Sequence, residues 1–262
     1  MIGIVGNGFV GNAVYQNFRD KTQCKVYDTD KNRSLNSLGD VINQEFIFVC
    51  LPTPMRYGGE CDLSILDNFF EGLPDHITGT FVIKSTVPVG TTKKYLERHN
   101  VIHNPEFLTA RNAIKDFANS ERNIVGGDMD LCVDFVAMFE KFFPEIPSII
   151  TTSDESEAIK YFSNTFLAYK VAYFNKIYDF CQVVGMDYDV VCEGVTADSR
   201  IGKSHTKVPG IDNDRGFGGT CFPKDLNSLI VQMENLDVNA DMLKEVWKYN
   251  QQIRKVIDWP VT

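Results

Sequence analysis

The sequence predicts an α/β protein: a doubly wound parallel sheet at the N-terminus, then an all-helical C-terminal domain built around one long helix. Three observations carry this. Short apolar runs alternate with helical stretches up to about residue 152. A glycine turn, 6-GNGFVG-11, joins the first apolar run to the first helix. From about residue 154 the apolar residues recur at helical spacing and the strand pattern stops.

The strand candidates are 2-IGIV-5, 24-CKVY-27, 46-FIFVCL-51, 80-TFVIKS-85, 100-NVIH-103, 123-NIVG-126 and 147-PSIIT-151. Several are continuous apolar runs, as strands covered on both faces should be. Strands alternating with helices predict parallel pairing with helices on both sides. The turn between the first strand and first helix is G-x-G-x-x-G in the context that gives the motif meaning, and it predicts a Rossmann dinucleotide site. Gly6 makes the tight turn, Gly8 admits a pyrophosphate to the backbone of Phe9 and Val10, and Gly11 lets the helix lie close to the strand. Asp28 ends the second strand, where a carboxylate holds ribose hydroxyls and repels a 2′-phosphate, so NAD is expected rather than NADP. Pro52 and Thr53, in 51-LPTP-54, and Thr86, in 84-KSTVPVGTT-92, follow later strands on the side where open α/β sheets bind ligands. The NAD-binding domain is expected to span 1–152 and the helical domain 153–262.

In the second half, 154–185 reads as one helix, with Ile159, Phe162, Phe166, Val171, Phe174, Ile177 and Phe180 at spacings of three and four. Its length and broad apolar surface predict a homodimer through it. Lys160 and Asn164 lie one turn apart on this helix. A polar loop over 203–215 precedes 216-GFGGTCFPKD-225. There Cys221 sits just before a helix start, where unpaired N–H groups and the helix dipole favour a thiolate, and Lys224 adds a positive charge.

A net charge of −9 argues against a nucleic-acid or anionic-membrane surface. The seven cysteines include no C-x-x-C pair and no metal spacing, which predicts reduced thiols, a cytoplasmic setting and no metal site. No stretch has the length of a membrane span.

Taken in order, 3-GIVGNGFVG-11, 52-PTP-54, 84-KSTVPVGT-91, 104-NPEFL-108, 157-EAIKYFSNTFLA-168, 199-SRIG-202 and 216-GFGGTCFPKD-225 make the chain resemble the UDP-glucose/GDP-mannose dehydrogenase family almost end to end. The resemblance implies oxidation of a nucleotide sugar's 6-hydroxymethyl group to a carboxylate with two NAD, a UDP-sugar being the expected substrate. Cys221 would hold the aldehyde-level intermediate covalently. Lys160 and Asn164 would stabilise the oxyanion. Asp225 and Thr86 would position water and proton transfers, and Glu106 would assist thioester hydrolysis. Glu106, Phe107, Leu108, Phe217, Gly218 and Gly219 would contact the sugar, and Arg200 would reach it across a dimer interface. Charge alone, apart from the resemblance, makes Lys207 and Arg215 of the 203–215 loop candidates to meet phosphates.

Ala110 stands where many members of the family have a second glutamate, which shifts the hydrolytic role toward Glu106 and Asp225. The family usually has a third, C-terminal nucleotide-sugar domain, so the chain reads as a short form. Other readings stay open: a different nucleotide sugar, a 3-hydroxyacid dehydrogenase (against which the GGTC segment argues), or a non-catalytic NAD-binding partner subunit.

Overall fold

The computed structural model describes residues 1–259 and 261–262. The chain divides into two compact units, 1–53 with 63–160, and 54–62 with 161–262.

The first unit holds seven strands: β1 (Ile2–Val5), β2 (Cys24–Tyr27), β3 (Phe46–Val49), β4 (Thr80–Ile83), β5 (Val101–His103), β6 (Asn123–Gly126) and β7 (Ser148–Thr151). They form one sheet in the order β2-β1-β3-β4-β5-β6-β7. Between them run α1 (Phe9–Phe18), α2 (Leu38–Ile42), α3 (Ser64–Glu71), α4 (Ala113–Ala118) and α5 (Met129–Phe142). Every strand predicted from an apolar run is present. Because successive side chains on a strand point to opposite faces, Ile2, Ile4, Phe46, Phe48 and Val82 join one buried cluster with Phe18 and Phe135. Val5, Ile47, Val49, Phe81 and Ile83 join another with Leu66 and Phe70. Both faces are therefore covered, which is why these runs are apolar throughout.

The pairing is parallel except where β5 meets β6, antiparallel, through the single pair His103 and Gly126. Side chains reinforce this short junction: the Asn104 amide donates to Asn123 Oδ1 at 2.8 Å and to the Ile124 carbonyl at 2.5 Å. β1 pairs with β2 on one side and β3 on the other. The chain thus reverses its winding at β1, and the loops after β1 and β3 flank the crevice where such sheets bind ligands.

The helix α6 (Ser153–Val184) starts in the first unit and continues into the second, followed by α7 (Tyr188–Thr196), α8 (Phe222–Asn235) and α9 (Asp241–Ile253). Among the described residues the regular elements of the second unit are helices, with isolated bridges joining Met55 to Cys61 and to Val261 and a non-helical stretch over 197–221. Its core gathers Tyr161, Ala168, Phe217, Leu226, Leu229, Leu243 and Val246. The apolar residues of α6 divide. Phe174 is buried, while Phe162, Phe166, Tyr173 and Phe180 are exposed. Among the described residues no helix is long and apolar enough to cross a membrane.

Candidate active site

The glycine turn has the geometry its sequence predicts. Gly6 has φ +86°, a left-handed conformation that side chains other than glycine's rarely adopt. A Cβ on Gly11 would strike the Gly6 carbonyl oxygen, so only glycine lets α1 lie this close to the end of β1. A Cβ on Gly8 would meet no atom within 4 Å, so space is kept open over the start of α1. No side chain caps that helix start, which leaves its first N–H groups suited to an anion. Asp28 Oδ2 accepts the Asn7 N–H at 2.6 Å, and Oδ1 accepts the Asp30 N–H at 2.8 Å, so this carboxylate is anchored at the rim of the turn.

Beside the turn lies an open groove of about 470 Å³, lined by Gly8, Phe9, Tyr15, Asn32 and Arg33 among others. Asn7 Oδ1 is buried there without a hydrogen-bond partner. The open glycine, the uncapped helix start and the anchored acid fit a dinucleotide phosphate and ribose. The Thr53 hydroxyl donates to the Thr86 carbonyl at 2.9 Å, tying the loop after β3 to the loop after β4, while Pro52 is exposed.

The first unit also contains a buried ion pair. Lys160 Nζ lies 3.3 Å from Glu106 Oε1, with side chains 4% and 6% exposed. Glu106 Oε2 accepts the Leu108 N–H at 2.6 Å, and the Lys160 ammonium sits 5.1 Å from the Phe107 ring centre. A second buried lysine, Lys84, donates to Asn104 Oδ1 at 2.8 Å. Burial lowers its pKa to about 8, against the opposing influence of Cys50 and Glu106.

In the second unit Cys221 is the N-cap residue of α8 and is half-buried, with the Thr220 hydroxyl 3.7 Å from its sulfur. Pro223 occupies the first turn, where its missing N–H leaves no bond unmade. No disulfide joins any of the seven cysteines. The glycines before Cys221 differ in role. Gly216 and Gly219 have φ +68° and +75°. A Cβ on Gly216 would strike Asn250, and one on Gly218 would strike Arg254 and Asp258, whereas one on Gly219 would meet nothing within 4 Å. Space is therefore open two residues before the thiol.

Asp225 is fully buried. Its Oδ2 accepts from Asn164 Nδ2 at 2.6 Å, and its Oδ1 pairs with Lys224 Nζ at 2.5 Å. The sequence assigns the Lys224 charge to Cys221, but the structure gives it first to Asp225. Burial pushes the Lys224 ammonium down, yet Asp225, with smaller contributions from Cys61 and Cys221, outweighs it and leaves the pKa raised.

The remaining expected residues are placed as follows. Phe217 buries its ring in the core, and its N–H and carbonyl both bond the Asn250 amide, at 2.7 and 2.9 Å. Arg200 is exposed and pairs with Asp198. Arg215, read as a phosphate contact, instead pairs with Asp179 at 2.7 Å and bonds Asn175 and Tyr249. Lys207 is exposed.

Residues 32–144 match the NAD binding domain of the UDP-glucose/GDP-mannose dehydrogenase family, and residues 154–252 match that family's central domain. The chain belongs to the UDP-glucose/GDP-mannose dehydrogenase family. The matched model is that of an NAD binding domain, and the cofactor is NAD. A UDP-glucose 6-dehydrogenase of Bacillus subtilis (strain 168) is 31% identical, over 97% of this chain and 63% of the relative. Another, of Rickettsia conorii, is 32% identical over 91% of this chain and 56% of the relative. The chain thus spans about 56–63% of the length of these family members. A UDP-glucose dehydrogenase structure from Pyrobaculum islandicum superposes with a TM-score of 0.84 at 24% identity, covering 96% of this chain and 68% of that one. A UDP-D-ManNAc dehydrogenase structure from Pyrococcus horikoshii gives 0.81 at 20% identity, with the same coverage. At those identities the structures establish the shared fold.

Sequence reasoning missed Asn7, Asn32 and Arg33, which line the groove beside the glycine turn. Asn7 could have been found as the residue between the first two glycines. Asn32 and Arg33 lie in a loop whose path past the turn follows only from the fold. Asn250, thirty-three positions from Phe217, left no local signal.

Proposed function

We propose that this chain oxidises the 6-hydroxymethyl group of UDP-glucose to the carboxylate. The observation that carries the reading is Cys221 at an uncapped helix start beside the open Gly219, with Lys224 and Asp225 in the following turn. The glycine turn and Asp28 would hold NAD, which would supply the hydride acceptor for each of two successive oxidations.

Lys160, a buried ammonium, stabilises negative charge on the reacting oxygen, and Asn164 offers an amide one turn along. Cys221 adds as thiolate to the aldehyde carbon, forming a C–S bond, and the carbonyl oxygen takes up a proton to give a thiohemiacetal. Loss of the second hydride and the hydroxyl proton leaves a thioester. Water then adds to the thioester carbonyl, the C–S bond breaks, and the thiolate leaves with the carboxylate formed. Glu106 takes one proton from that water, and the second passes to solvent as the carboxylate forms. Thr86 borders the reaction on the cofactor side. Asp225, held by Asn164 and Lys224, fixes the donors around it.

The homologues that support a UDP-sugar substrate carry that name themselves. The exposed Phe162, Phe166, Tyr173 and Phe180 support a homodimer formed through α6, with Arg200 reaching the partner's substrate. Seven cysteines without a disulfide suit a cytoplasmic setting.

The test is NADH yield. Wild-type protein should form two NADH per UDP-glucose, Cys221→Ala should not complete the second oxidation, and Cys221→Ser should accumulate a covalent sugar ester detectable by intact-protein mass. Two NADH per sugar from the alanine variant would remove the thiol from the mechanism. NADH from another nucleotide sugar alone would change the substrate, and NAD binding without any turnover would favour a non-catalytic partner subunit.

A further inference from the structure

Three successive contacts seat the first turns of α6 on the first unit. The Ser156 hydroxyl meets His103 Nδ1 at 2.8 Å, Glu157 meets the loop after β4, and Lys160 meets Glu106. The middle contact is chemically unusual. Glu157 is fully buried, and among the described residues it has no ion pair. Among the described residues its hydrogen-bond donors come from one loop: Gly90 N–H at 2.6 Å to Oε2, and Thr92 N–H at 2.7 Å and hydroxyl at 2.6 Å to Oε1.

An apolar side chain would seat a helix without the desolvation penalty of a carboxylate. A carboxylate adds direction, because its two oxygens grip the loop on both sides of Thr91. Gly90 is left-handed at φ +92°, so the turn presents its N–H from a conformation few other residues would take. The same loop is tied at its other end through the Thr86 carbonyl and Thr53. Thr86 is thus held between two fixed points, one on the loop after β3 and one on α6 a turn before Lys160.

We propose that Glu157 is a positioning residue that latches the Thr86 loop, and with it the cofactor side of the reaction, to the helix turn presenting Lys160. This rests on the roles given to Thr86 and Lys160 above. In Glu157→Gln the amide oxygen can still serve Thr92, but the amide nitrogen faces the Gly90 N–H and cannot accept from it.

The experiment measures NAD affinity by direct titration, kcat with NAD and UDP-glucose, and melting temperature, for Glu157→Gln, Thr92→Val and Thr92→Ser. Glu157→Gln should weaken NAD and lower kcat roughly tenfold each, the usual consequence of losing a charge-assisted hydrogen bond. Thr92→Val, which removes one donor while keeping the side chain's shape, should give a smaller loss of the same kind. Thr92→Ser, which restores the hydroxyl, should return NAD affinity to within about twofold of wild type.

A latch that matters only for folding would lower the melting temperature and leave NAD affinity and kcat unchanged, and that result overturns the proposal. If Glu157→Gln does not fold, the Thr92→Val and Thr92→Ser pair decides alone. The titration uses no sugar. A wild-type protein inactive on UDP-glucose would therefore count against the substrate reading, while the latch is still judged from NAD affinity.

Discussion

Replacing Lys160 with methionine should unfold the first unit at a markedly lower temperature, and removing the Glu106 charge as well should restore much of the loss. The pair is 3.3 Å apart and almost wholly buried. At that separation the attraction is about 5 kcal/mol with an effective dielectric constant near 20, much of it cancelled by the desolvation of both ions. Methionine fills most of the lysine volume, so the main effect is a carboxylate left at 6% exposure with, among the described residues, only the Leu108 N–H as a hydrogen-bond donor. Breaking a buried pair in this way costs about 3–5 kcal/mol. At roughly 2–4 °C per kcal/mol for a unit of this size, the melting temperature should fall by on the order of 10 °C.

In Lys160→Met/Glu106→Gln no charge is stranded, and the double variant should recover to within about 1–2 kcal/mol of wild type. Calorimetry or near-ultraviolet circular dichroism on the three proteins reads the result. Neither variant should make NADH from UDP-glucose, since the second substitution restores stability without restoring the ammonium. A Lys160→Met protein that melts within about 2 °C of wild type, or a double variant no better than the single one, would show that the two ions do not compensate each other.

The two glycines of the turn should separate binding from folding. Gly8→Ala adds a Cβ that meets nothing, so its stability should stay within about 0.5 kcal/mol of wild type while NAD affinity drops. Gly11→Ala drives a Cβ into the Gly6 carbonyl and should cost roughly 1–3 kcal/mol or prevent folding, as read by urea titration. Lys84 should make stability rise with pH. Below its folded pKa of about 8 it is charged in both states and the burial penalty is fully present. Between there and the ordinary 10.5 the unfolded chain binds more protons, so wild type should gain up to roughly 3 kcal/mol relative to Lys84→Met, and equal pH profiles of urea unfolding would contradict this. Sedimentation should show a dimer that Phe166→Glu converts to monomer, because a charge on the exposed stripe of α6 would have to be desolvated at the interface.

The strands were legible because their physics is local. A strand covered on both faces must be apolar at every position, and 46-FIFV-49 and 80-TFVI-83 announce that in four residues. The glycine turn was legible for a related reason: left-handed φ at Gly6 and contact distance at Gly11 each exclude every larger residue. Partner choice was not legible. Lys224 stands three positions from Cys221 and one from Asp225, and only the folded geometry puts its ammonium on the carboxylate. The β5–β6 junction was missed because strand direction depends on how the connecting chain returns to the sheet, which apolar patterning does not encode. The segment 54–62 keeps company with the second unit although its neighbours on both sides belong to the first. Its attachments, Met55 to Val261 and Gly59 against Asn227, are made over separations too long for periodicity to register. Glu157 belongs to the same class. As a helical glutamate ahead of an apolar stripe it reads as a dipole-matched surface residue, and its burial is dictated by a loop more than sixty residues earlier. What sequence reasoning recovers at a site of this kind is the residue whose chemistry is rare in its local setting, such as a thiol among glycines. What it loses is the ordinary side chain made functional by the loop it holds.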